Sequence, residues 1–245
     1  PKRKKILLDT YEWIRKRMVR FIEKQSSHAV SDIAKKELIR RINNIQLQLP
    51  PPASIYSNEP DLFTKNDVYY ESFPGDRRVI RVGGAYLLTA KSWFNRVFTL
   101  AHEMSHAIDP CELQMSQIQV SGYQKLLDCF QKDKEIEFGN LIRGCDKNNF
   151  VGELFSDWLA TRMTVQALET YASKFKDRED LVNSVINSVK DLCGQESSLN
   201  GDSETHPDPK VRVEKIFGVN PDLRALLGCS PESNKIFSCT FEGKK

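Results

Sequence analysis

The pentapeptide His102-Glu103-Met104-Ser105-His106 constrains this chain more than any other feature, because it asks one helix to present two imidazoles to a single point. At about 100° per residue, Phe94, Val97, Phe98, Ala101 and Ile108 form an apolar stripe, while Asn95, Thr99, His102 and His106 share the adjoining face. Both rings then point the same way one turn apart, a spacing that lets them reach one tetrahedral zinc at about 2.0 to 2.1 Å. Glu103 projects from a neighbouring angle toward a water on that metal, a base beside its nucleophile. The same pattern also arises by chance as two surface histidines on a helix, so a third ligand has to decide between the readings.

Glu153 is the best candidate, within Gly152-Glu153-Leu154-Phe155-Ser156-Asp157-Trp158-Leu159-Ala160. Glu153 and Asp157 stand at i and i+4 and share one face of a second helix, whereas Leu154, Trp158 and Val165 face the core. One carboxylate can bind metal while Asp157 takes the remaining ring N–H of His102 and fixes its tautomer. The plain alternative is a capping Glu and a surface Asp. A third element, Thr205-His206-Pro207-Asp208-Pro209-Lys210-Val211-Arg212, carries a histidine six residues before an arginine. Brought over the metal, His206 can donate to a developing oxyanion, and Arg212 can fix a carbonyl or an inner carboxylate; a lone loop histidine is otherwise solvated.

The pattern around these pieces is α+β and mostly helical. Apolar residues from Ile6 to about Leu47 recur at helical spacing, predicting two helices broken near Gln25-Ser26-Ser27-His28, the second capped by Ser31 or Asp32. Pro50-Pro51-Pro52 divides this N-terminal helical segment, 1–49, from a catalytic unit over 50–245. Val68-Tyr69-Tyr70 and Arg78 to Val82 predict a hairpin turning at Phe73-Pro74-Gly75-Asp76 and ending at Gly83-Gly84. Helices are expected over about 91–108, 112–130, 152–172 and 178–193, with shorter ones near 208–217 and 221–227. Trp13, Trp93 and Trp158 fall at core-like positions, and His28 in a loop.

With 245 residues, 40% of them hydrophobic, and no apolar run approaching the roughly 18 to 20 that a bilayer crossing needs, the chain is neither membrane-spanning nor wholly disordered. The net charge of +3 sits partly in Pro1 to Lys5, so the body is nearly balanced and no nucleic-acid partner is expected. A basic surface using Lys2 to Lys5 with Arg15, Lys16, Arg17 and Arg20 is ordinarily a solvated helix face. The opening lacks the apolar stretch of a signal peptide, and a trimmed or mature form is expected. Six cysteines, at 111, 129, 145, 193, 229 and 239, contain no CxxC pair and permit up to three disulfides in any pairing. An exported setting, periplasmic or secreted, is expected over a cytoplasmic one.

Taken in order, several pieces resemble the gluzincin metallopeptidases, and more closely the catalytic half of the neprilysin-type family. These are Asn66-Asp67-Val68-Tyr69, Ile80-Arg81-Val82-Gly83-Gly84, His102 to His106 with Asp109, Gly152-Glu153 with Asp157, and His206 with Arg212. A second gluzincin group, the HtpX-like and CAAX-prenyl endopeptidases, is similar in its late Thr-His-Pro, here Thr205-His206-Pro207. Asp67 departs from the neprilysin-type pattern, which has a small Ala there. The resemblance covers roughly 62–230 and implies a zincin-like fold, with a small edge-strand hairpin packed on the HExxH helix and on a second, Glu-bearing helix. It implies Zn2+ held by His102, His106 and Glu153, the general base Glu103, Asp157 behind His102, the transition-state donor His206, and a peptide or protein substrate. Arg212 joins the catalytic set. Asn66, Gly83 and Gly84 are expected to meet the substrate backbone, with the strand ending near Val82 to Ala85 as its pairing edge. The competing expectation is an inactive zinc-binding relative serving as a peptide- or protein-binding scaffold.

Overall fold

A computed structural model describes residues 2–50, 64–89, 91–114, 118, 120–131, 145, 150–190, 192, 212–217, 220–229 and 241. Helix α1 spans Lys2–Glu23 and buries Leu7, Tyr11, Ile14, Met18 and Ile22, a stripe spaced by three and four. Helix α2 spans Asp32–Asn44, and of the two candidate caps it is Ser31 that accepts from Ala34 N.

Strand β1, Ile45–Gln48, corrects the expectation that this helix runs to about Leu47. Ile45-Gln46-Leu47-Gln48 alternates with period two, and its first residues also fit the helical spacing of Ile33, Leu38 and Ile42, which masks the change. Strands β2, Val68–Phe73, and β3, Arg77–Val82, form the expected antiparallel hairpin, with Tyr70 opposite Ile80. Gly75 and Asp76 both take positive φ, 79° and 66°, as a tight hairpin turn requires.

The sheet order is β1-β3-β2, β1 running parallel to β3. This overturns the expected substrate edge. β3 is paired on both sides, so the edge strands of the described sheet are β1 and β2, and of the two it is β2 that meets the HExxH helix, through Tyr70 N on Glu103. Gly83 serves a different need: a Cβ there would lie 2.1 Å from the carbonyl oxygen of Lys65, while Gly83 N donates to Asp67 O at 2.9 Å. Its small size lets the chain close back on 65–67. Gly84 is buried at the start of α3, Gly84–Leu88, a short helix the sequence pattern does not announce.

Helix α4, Trp93–Ser105, is capped by Ser92, which accepts from Asn95 N, and tightens into a 3-10 turn over His106–Ile108. The single helix expected over 112–130 is two, α5 at Pro110–Gln114 and α6 at Ser121–Gln131. Helix α7, Phe150–Thr170, leads through a 3-10 turn at Ala172–Lys174 to α8, Arg178–Val189, capped by Asp177. A π-helical segment, Arg212–Phe217, and α9, Pro221–Leu226, complete the described chain.

The core explains why the amphipathic reading of α4 is incomplete. This helix packs against α7, α8, α1 and β2, and its polar residues Asn95, Arg96, His102 and Ser105 are buried along with its apolar ones. α7 is likewise buried on nearly every side, from Val151 to Leu168. The two helices that carry the candidate ligands therefore meet at the centre of the molecule. Trp158 packs with Phe155, Phe21 and Phe241, and Trp13 meets Trp93 edge to face at 5.4 Å, so all three tryptophans pack as expected. No described helix is long and apolar enough to cross a membrane.

Candidate metal centre

His102 and His106 extend from the last turn of α4 and the 3-10 turn that follows it, facing Glu153 in the first turn of α7. The two Nε2 atoms are 3.2 Å apart; Glu153 Oε2 is 3.2 Å from that of His102, and Oε1 is 3.5 Å from that of His106. These three buried side chains form a group able to hold a metal ion. For bonds of roughly 2.0 to 2.1 Å, the donors on a tetrahedral ion stand about 3.3 to 3.4 Å apart, so the triangle has the size of one tetrahedral face.

The other ring atoms explain the chemistry. His102 Nδ1 is 2.9 Å from Asp157 Oδ1, and His106 Nδ1 is 3.1 Å from Asp109 Oδ2. Carboxylates only accept, so each Nδ1 carries the proton and each Nε2 is left as an acceptor. Three acceptors then converge, two imidazole lone pairs and a carboxylate, and only a proton or a cation relieves their repulsion. The electrostatics of the metal-free group agree. Burial opposes charge on His102, but hydrogen bonds to Asp157 and Glu153 outweigh it and raise its pKa to about 10. His106 is also raised, the pull of Asp109 and Glu153 overcoming burial. The donor set fits a divalent cation that prefers nitrogen and oxygen ligands.

Asp157 is fixed from behind. Arg212 Nε donates to Oδ2 at 2.6 Å and Nη2 to Oδ1 at 2.9 Å, a two-pronged clamp on a carboxylate with 1% exposure. Burial raises the pKa of that carboxyl, and the Arg212 charge and hydrogen bonds more than reverse this, keeping it ionised. Of the two roles open to Arg212, the structure thus shows the inner carboxylate. Asp109 does double duty: its Oδ1 accepts from Cys111 N and Glu112 N at the start of α5 while Oδ2 orients His106. Ser156 Oγ also lies 3.2 Å from His106 Nδ1. Sequence reasoning gave neither residue this role, although the i,i+3 spacing of His106 and Asp109 is the signal that finds the first.

Glu103 lies beside the triangle with Oε1 4.0 Å from His102 Nε2, while Oε2 accepts the β2 amide of Tyr70 at 2.8 Å. Burial raises its pKa, against the opposing pull of His102 and His106. The Tyr70 ring stacks near His106, centroids 6.0 Å apart. A backbone donor leaves no side-chain signature, so this role of Tyr70 has no signal in the sequence.

A cavity of about 1070 Å³ opens onto this group and includes Asn66, Asp67, Tyr70, Glu103, Glu153 and Arg212 in its lining. Asn66 is thus at the cleft, where its Oδ1 accepts from Thr89 Oγ1 at 3.1 Å, and Asp67 Oδ1 caps Val68 N at 2.8 Å. Gly83 and Gly84 do not line it. His206 lies outside the described residues. Among the described residues, Cys111 is bonded to Cys145 and Cys229 is free and exposed; 193 and 239 lie outside the described residues. Comparison of the chain with protein-family models, with curated proteins and with solved structures finds no match.

Proposed function

We propose that the chain is a zinc-dependent peptidase of the gluzincin type, with a zincin-like arrangement of its two ligand helices and a likeness to the neprilysin-type family. The observation that carries this reading is the convergence of two Nδ1-protonated imidazoles and one carboxylate on one point, with a buried glutamate beside it. A divalent ion held there supplies Lewis acidity toward a carbonyl and acidifies water.

The chain's own residues do the rest. Asp157 and Asp109 hold the imidazoles in one tautomer, and Arg212 holds Asp157 ionised. Tyr70 N fixes one Glu103 oxygen, which leaves Oε1 turned toward the ligand group to take a proton from water and pass it to the leaving amine. Burial raises the pKa of Glu103, which makes its carboxylate a stronger base than an exposed one. An extended peptide is expected to lie along the open edge of β2, where main-chain bonds give affinity. The Cys111–Cys145 bridge supports an exported setting in this reading.

Glu103→Gln separates catalysis from scaffolding. It is expected to keep bound metal at the level of the parent protein and to lose peptide hydrolysis by about 10²-fold or more, measured on a peptide library with and without chelator. Equal cleavage by the variant contradicts the mechanism. Bound metal without cleavage by the parent protein assigns the site to a zinc-binding scaffold instead.

A further inference from the structure

The cleft does not end at the ligand group. It continues along α4 toward its N-terminus, where Asn95, Phe98 and Thr99 meet Ser188, Val189 and Leu192 at the end of α8 and beyond it. Asn95 precedes His102 by seven residues, so it lies on the same helix face, about 10.5 Å away in axial rise. Both side chains lean toward the helix N-terminus, so their offset stays on the order of 10 Å, a span that a long side chain can cross.

Asn95 is 4% exposed, and its amide orientation is fixed: Nδ2 donates to the carbonyl of Ser188 at 3.2 Å. Its Oδ1 therefore has to accept, and among the described residues it has no partner. Beside it Phe98, Val189 and Leu192 supply buried apolar wall, with Thr99 and Ser188 alongside. Lys91 and Lys190 also line this end of the cleft and oppose a cationic side chain. An apolar body ending in a neutral donor is the shape and chemistry that remain.

Building on the peptidase reading, we propose that this end of the cleft, closed by Asn95, selects an aromatic substrate side chain that carries a hydrogen-bond donor, tyrosine above phenylalanine, next to the cleaved bond. The phenol hydroxyl donates to Asn95 Oδ1, and the ring packs on Phe98, Val189 and Leu192. A phenylalanine fills the same walls and leaves the buried acceptor unmet, which is the kind of loss that discriminates strongly between otherwise similar side chains.

The test uses the metal-loaded full chain and peptide pairs that differ only in Tyr or Phe beside the cleaved bond, with cleavage positions mapped. The tyrosine peptide is expected to show kcat/KM about tenfold or more above its partner, and Asn95→Leu to bring the ratio to about one. Equal kcat/KM in the unaltered enzyme overturns the proposal and leaves the peptidase reading intact. Binding of the same pairs to metal-loaded Glu103→Gln, by calorimetry, gives a readout without turnover. Tighter binding of the tyrosine peptide when the unaltered chain cleaves neither supports the pocket and removes the peptidase reading. Equal binding overturns the pocket.

Discussion

Each imidazole in the centre has one nitrogen committed to an aspartate and the other committed to the shared point. Proton and cation therefore compete for the same place. With the His102 pKa at about 10 in the absence of metal, an ion that binds below that pH displaces a proton. Metal affinity is expected to fall about tenfold for each unit the pH drops between 9 and 7, measured by competition with a chelator of known affinity. The metal-free protein should behave in the opposite sense. A histidine pKa raised on folding contributes stability that is fully present below about 6.5 and is lost as pH rises through about 10. Thermal melts of the two forms across this range should diverge with rising pH, and parallel curves contradict the assigned pairing. The residues of the centre were legible because their spacing is a helical property. His102 with His106, and Glu153 with Asp157, are each four apart, and a four-residue step fixes a common direction before any tertiary structure is known. Partners such as Tyr70 and Ser156 were not, since a backbone amide and an isolated serine carry no period.

At the scale of elements, the long helices were readable and the short ones were not. Trp93–Ser105 and Phe150–Thr170 fall where their apolar spacing puts them, whereas Gly84–Leu88 and Pro110–Gln114 are single turns, too short to establish a period. Strand β1 is masked by adjacency to α2, and its pairing makes β3 the central strand, which leaves β2 as the edge beside Glu103. That edge depends on Gly83, where the chain after β3 presses on the backbone just before β2. Gly83→Ala forces a methyl into the Lys65 carbonyl, a backbone atom with no rotamer to yield. The variant should lose about 1 to 3 kcal/mol in chemical denaturation, and peptide cleavage should fall more than metal content because β2 also holds Glu103. A variant with unchanged stability contradicts the close approach.

The whole molecule places its polar chemistry where α4 and α7 cross, beneath a cleft whose wall includes the Cys111–Cys145 bridge. The bridge joins residues 34 apart in sequence, and by loop-closure entropy its loss should cost about 3 to 4 kcal/mol. Cys111→Ser should therefore melt well below the parent protein, and reductant should lower the melting temperature of the parent alone. No arrangement of sequence periods foretells this pairing, because it joins a short helix to a position with no regular structure of its own. All of these expectations rest on one ion held between the two helices. The direct test is an anomalous difference map at the zinc edge from crystals of the metal-loaded chain. A single peak about 2.0 to 2.2 Å from His102 Nε2, His106 Nε2 and a Glu153 oxygen is the predicted result. A fully loaded crystal whose peak lies elsewhere, with the three side chains left facing one another, contradicts it.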